Sequence, residues 1–199
     1  MKGFLLTLLA GMNLNPLETR ISQEPVASQP FRNYLDFRSL ERYIVPEDKV
    51  PEGCKDPLNS GNPLYNIESI LAQDPEIQLT ENFKLKEFAR TDDNLLSYIR
   101  LNPKIPEALQ RLRNHLGRPI TIVSAYRPPW RQEELKQEEE TKDRAAKVSK
   151  HSSGNAVDIQ VEGIKPSDLR GIIRGVLGNK VQVLTYQGSK STHLNFSNY

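Results

Sequence analysis

The chain contains a single cysteine, Cys54, among 199 residues. Without a second thiol there is no intrachain disulfide and no thiolate metal cluster, so any metal must be held by nitrogen and oxygen. Charge of one sign is not in excess either: 27 basic and 25 acidic side chains leave a formal charge of +2, and the two signs are mixed along the chain. That balance argues against a nucleic-acid binder, which concentrates Lys and Arg on one face. No apolar run is long enough to span a bilayer as a helix. No internal repeat is visible. The hydrophobic fraction, 37%, is enough for one core.

Proline is plentiful near the start. Pro16, Pro25, Pro30, Pro46, Pro51, Pro57, Pro63 and Pro75 interrupt residues 13–80, a stretch also rich in Asn, Ser and Gln. Such punctuation breaks helices and removes strand donors. The expectation is an extension or linker over residues 1–80, with pieces such as Phe31 to Ile44 able to dock on a neighbouring surface. Before it, Lys2 and the apolar run Phe4 to Met12 resemble the start of a secretory signal peptide, with Val26-Ala27-Ser28 a distant cleavage site. A short buried helix or an irregular start is the alternative.

A domain is expected over residues 81–199. Ile105, Ala108, Leu109, Leu112 and Leu116 have helical spacing, ended by Gly117 and Pro119. Ile120 to Val123 reads as a strand, Trp130 to Lys147 as a charged helix and Ala156 to Val161 as a strand. Pro166 to Leu177 reads as a helix, with proline in its first turn and Gly178 just past its end. Val181 to Tyr186 and His193 to Phe196 read as two further strands. Two consecutive strands at the end predict an α+β fold, a mostly antiparallel sheet with helices packed on it.

Alternation along the strands defines a polar face. Asp158 shares a face with Gln160 while Val157, Ile159 and Val161 fill the other; His193 and Asn195 share a face opposite Leu194 and Phe196. His151 lies in the loop before the first of these strands, and Gly154 permits that loop to turn tightly. Two imidazoles and a carboxylate are the ligand set of a catalytic zinc site with one position left for water. Manganese or iron fits the same donors, but zinc suits hydrolysis because it has no redox chemistry and makes a nucleophile of water near neutral pH.

Ser149 to Asp158 reads S-x-H-x-x-G-x-A-x-D, and Ser124-Ala125-Tyr126-Arg127 lies upstream, directly after a strand. This pairing resembles the zinc D-Ala-D-Ala carboxypeptidase family of peptidoglycan peptidases, whose fold also occurs in the Hedgehog signalling domain. Phe83 to Phe88 and His115 to Ile120 are similar to family sequence too, so the resemblance covers roughly residues 81–199. It implies that His151, Asp158 and His193 hold zinc. It implies that Arg127 acts in catalysis, holding a substrate carboxylate or a developing oxyanion with its rigid, permanently charged fork. Tyr126 and Asn195 join Arg127 as expected substrate contacts. Ser149 is expected to support the loop by hydrogen bonding, and His115 to sit at a helix C-terminus.

One departure matters. Family members place an acidic general base three residues before the last ligand or two after it, and those positions are Lys190 and Asn195 here. The base is then expected from elsewhere, for example Glu133, Glu134, Glu138 or Asp143 on the charged helix. Losing a general base costs about 10²–10⁴-fold in rate. Two readings follow: a zinc peptidase cutting peptidoglycan stem peptides, or a non-catalytic zinc-containing module that binds the cell wall. Both place the protein in the periplasm or cell envelope, with a cytoplasmic or phage-associated protein as the alternative.

Overall fold

The computed structural model of the protein describes residues 37–91, 94–137 and 149–198. The signal-like start, Val26 to Ser28, Glu138 and Asp143 lie outside them. The described chain opens with 3-10 turns at Phe37–Tyr43, Glu47–Lys49 and Glu52–Cys54; Pro46 and Pro51 stand directly before the second and third. There follow β1 (Leu64–Asn66), α1 (Ile67–Leu71), β2 (Gln78–Thr80), β3 (Phe83–Lys84), α2 (Leu85–Phe88), β4 (Arg90–Thr91), β5 (Asn94–Leu95) and β6 (Tyr98–Arg100). The remainder is α3 (Lys104–Leu116), β7 (Ile120–Ser124), α4 (Pro129–Gln137), β8 (Ala156–Val161), α5 (Pro166–Leu177), β9 (Gln182–Thr185) and β10 (Thr192–Asn195).

The architecture is α+β. One four-stranded sheet in the order β7-β8-β10-β9 is antiparallel throughout, and three small two-stranded antiparallel sheets accompany it. α3 is set by buried Ile105, Ala108, Leu109 and Leu112 and ends at Gly117, whose φ of 60° is left-handed. α5 buries Leu169, Ile173 and Leu177 at helical spacing and packs on β9, β10 and α3. The apolar faces of β8 and β10, with Val157, Ile159 and Leu194, complete this layer. α4 has no apolar stripe; Gln132 is its only buried residue.

The core does not end where the proline-rich segment was expected to leave it. Leu40, Leu64, Tyr65, Ile67, Ile70 and Leu79 are buried in the same cluster as Leu109, Val157 and Phe196. The prolines break long elements, but they leave short apolar pieces, and these pair with the later chain: β1 lies antiparallel to β6, Leu64 opposite Arg100. Residues 37–80 are therefore built into the domain and are not a linker.

The same segment braces the loop that carries His151. Arg100, 4% exposed, donates to the carbonyls of Cys54 at 3.3 Å and Asn62 at 2.8 Å. The Asn62 amide donates to the Ser153 carbonyl at 2.8 Å and to the Asn155 side-chain oxygen at 2.9 Å. Asn102 donates to that same oxygen at 3.0 Å, and its backbone N–H bonds the Gly154 carbonyl at 2.9 Å. Buried polar groups are thus satisfied across chain segments far apart in sequence.

Candidate metal centre

Asp158 and His193 face each other across the central strand pair. β10 runs antiparallel to β8 with His193 opposite Asp158, and both side chains project from the face opposite Val157, Ile159 and Leu194. β7 contributes Ser124, which stands opposite Asp158 on the other side. His151 arrives from the 3-10 turn Lys150–Ser153. Ser149 starts that turn and its hydroxyl accepts a hydrogen bond from the His151 N–H at 3.2 Å. Gly154 ends it with φ 70°, and a Cβ there would stand 2.6 Å from the carbonyl carbon and oxygen of Arg100. Only glycine meets both the left-handed backbone and the close approach.

Three donors converge. His151 Nε2 is 3.2 Å from His193 Nδ1 and 3.4 Å from Asp158 Oδ2, and His193 Nδ1 is 2.8 Å from Asp158 Oδ1. Donors held about 2.0–2.2 Å from one tetrahedral ion stand about 3.3–3.6 Å apart. The 3.4 Å spacing falls on those edges, the 3.2 Å spacing lies just below them, and the 2.8 Å spacing is about half an ångström or more tighter. The other nitrogen of His151, Nδ1, lies 2.6 Å from the Ala125 carbonyl. A carbonyl can only accept, so Nδ1 carries the proton and Nε2 presents its lone pair to the cluster. Among the described residues this His/Asp/His group could hold a metal ion.

Electrostatics favour that state. Burial pushes the His151 imidazole below its usual value; the Asp158 carboxylate opposes this, while Arg127 and His193 add to it. Burial alone would raise the Asp158 carboxyl, but the neighbouring imidazoles of His151 and His193 hold it well below the usual carboxylate range. A neutral imidazole beside an ionised carboxylate is what a divalent ion requires.

Arg127 is half-buried at the edge of the cluster. Its guanidinium donates to Gln132 at 3.1 Å and to the Ser124 hydroxyl at 3.4 Å, and its backbone N–H bonds the His151 carbonyl at 3.3 Å. Tyr126 does not line the cleft as expected of a substrate contact. It is 2% exposed, with its hydroxyl beside the Cys54 thiol, whereas the next residue, Arg127, is half-buried. Asn195 is on the ligand face, but its amide donates to Gln182 at 3.0 Å and its side-chain oxygen accepts from Ser197. Lys190 is exposed. On α4, Glu133 pairs with Lys136 and Glu134 with Arg131, so neither joins the donors. His115 is exposed in the last turn of α3.

Tyr186 belongs to the site and was not singled out from sequence. Its ring centroid is 6.4 Å from that of His193, it is 56% exposed, and burial followed by the nearby charge of Asp158 raises its phenol. The only signal available was its position at the end of a strand paired with the ligand strand.

No curated protein matches the sequence. A family model described as Peptidase M15 matches residues 81–195, which include Arg127 and all three converging donors. On that match, which spans more than half of the chain, and on the metal-ligand geometry it encloses, the protein belongs to the peptidase M15 family of metallopeptidases.

Proposed function

We propose that the protein is a zinc-dependent peptidase of the cell envelope that hydrolyses peptide bonds in peptidoglycan stem peptides, with D-Ala-D-Ala carboxypeptidase-like specificity. The observation that carries this reading is the convergence of donor atoms of His151, Asp158 and His193 within 4.8 Å of one another in a chain of this family. Zinc held by His151, Asp158 and His193 would supply Lewis acidity and would lower the pKa of a bound water. The chain does the rest. The Ala125 carbonyl fixes the His151 ring. The β8–β10 register fixes Asp158 against His193. Arg127 offers a permanent positive charge to a substrate carboxylate or to the oxygen that gains charge, a task suited to its planar fork. The exposed Tyr186 phenol, its ring beside His193, would be available to a substrate as a neutral hydrogen-bond donor.

A second reading rests on the general base. Among the described residues, Asp158 is the only carboxylate found in the cluster, and it is a metal ligand in the proposed site. A protein without a base there would bind zinc and cell wall without turnover. One experiment separates the two. Purified wild type is loaded with zinc, assayed for metal content, and incubated with peptidoglycan whose fragments are read by mass spectrometry. About one zinc per chain and loss of terminal D-Ala are expected, both abolished in His193→Ala. Zinc retained with no metal-dependent cleavage would establish the non-catalytic reading instead.

A further inference from the structure

A cavity of about 590 Å³ opens beside the start of α4 and is not part of the donor cluster. Two of the exposed large hydrophobic side chains line it, Trp130 at 46% and Leu95 at 51%. Exposed apolar groups gathered at one cavity mark a binding surface more strongly than scattered ones. The indole is also held in place: a Cβ on Gly53 would stand 3.2 Å from Trp130 Cδ1, so the missing side chain of Gly53 makes room for the ring edge. A ring packed on one edge and open to a cavity is a preorganised platform.

The polar lining says what the platform takes. Asn94, Arg131 and Glu134 border it, and Arg131 pairs with Glu134 at 3.2 Å. Their charges cancel locally, so the cavity does not select an ion. It offers an apolar face with donors and acceptors at its rim. A pyranose ring has the complementary form, with a C–H face for the indole and equatorial hydroxyl and amide groups for the rim.

The cavity and the metal centre are neighbours along the chain. Pro128 lines it, and Arg127 is the preceding residue. Arg127 and Trp130 are three residues apart, at most about 11 Å between Cα atoms. A stem peptide of four residues, extended at about 3.3–3.6 Å per residue, reaches further than that. We propose that this cavity is a sugar subsite, seating one uncharged N-acetylated pyranose of a glycan strand on Trp130 while the attached peptide extends to the metal centre. The second half of this proposal rests on the peptidase reading; the sugar subsite itself does not.

Trp130 is the only tryptophan in the chain, so intrinsic fluorescence reads the cavity directly. The probe is the N-acetylglucosamine trimer, titrated into the zinc-loaded full chain, with glycerol at matched concentration as control. A saturable blue shift is expected with the trimer and none with glycerol. Leu95→Ala and Asn94→Ala keep the reporter and are expected to weaken the titration about three- to tenfold, with zinc content unchanged. In parallel, a disaccharide-bearing stem peptide is expected to show a lower KM than the free peptide at equal kcat, a gap that closes in Leu95→Ala. No spectral change with the trimer, or one of equal strength in both variants, overturns the subsite. Failure to cleave either peptide while the titration succeeds would overturn the peptidase reading and leave the subsite standing.

Discussion

Burial and the Asp158 carboxylate act in opposite directions on His151, and burial wins. The folded protein holds this imidazole below its ordinary value, against the Asp158 carboxylate and with Arg127 and His193. The unfolded chain takes up the proton near pH 6.5. Between the two values the unfolded state binds more protons, so the contribution to stability is present above about pH 6.5 and is lost as pH falls. Asp158 adds a term of the same sign at lower pH, since its ionised form is favoured in the folded state. Urea unfolding of chelator-treated protein at pH 7.5 and 5.5 checks this. The wild type is expected to lose stability on acidification, and His151→Gln to lose less. Equal slopes would show that burial of residue 151 has no such effect.

At the scale of elements, the ligand turn depends on one position more than on any other. Gly154 combines φ of 70° with a 2.6 Å approach to the Arg100 carbonyl. Gly154→Ala is expected to cost at least about 2 kcal/mol, from left-handed strain plus displacement of the β6 end. Thermal unfolding measures it, and zinc affinity is expected to fall in parallel because the turn carries His151; an unchanged melting temperature would refute the steric argument. The requirement was partly legible: the S-x-H-x-x-G-x-A-x-D run marked Gly154 as a tight turn, but only coordinates show the Arg100 backbone against it. The strands and helices bearing the site were legible because their apolar residues keep strict periods, as in Ala156 to Val161 and Pro166 to Leu177. β1 and β6 were not legible, since three residues show no period and their pairing joins chain segments more than thirty residues apart. Tyr126 was misplaced as a substrate contact because a motif gives neighbours in sequence, whereas the fold sends Tyr126 into the core and leaves Arg127 half-buried beside Ser124 and Gln132.

At the scale of the whole molecule, the segment before residue 81 closes the core and props up the ligand turn. Leu64, Ile67 and Ile70 are almost fully buried, and truncating one buried residue of this kind costs about 2–5 kcal/mol. A chain beginning at Glu81 is expected to lose cooperative unfolding and stoichiometric zinc relative to the full chain. Circular dichroism melts with metal analysis test this, and a sharp melt in the short chain would return residues 37–80 to the status of a linker. The geometry around Ala125 has a wider consequence. The carbonyl of Ala125 meets the His151 ring, and the N–H of Arg127 meets the His151 carbonyl. The residue proposed to anchor substrate and one of the residues proposed to hold the ion are therefore cross-tied through two adjacent peptide groups. Thermodynamic reciprocity would then apply: any factor by which a bound ion tightened the grip of Arg127 on a carboxylate would be the factor by which that carboxylate tightened the binding of the ion.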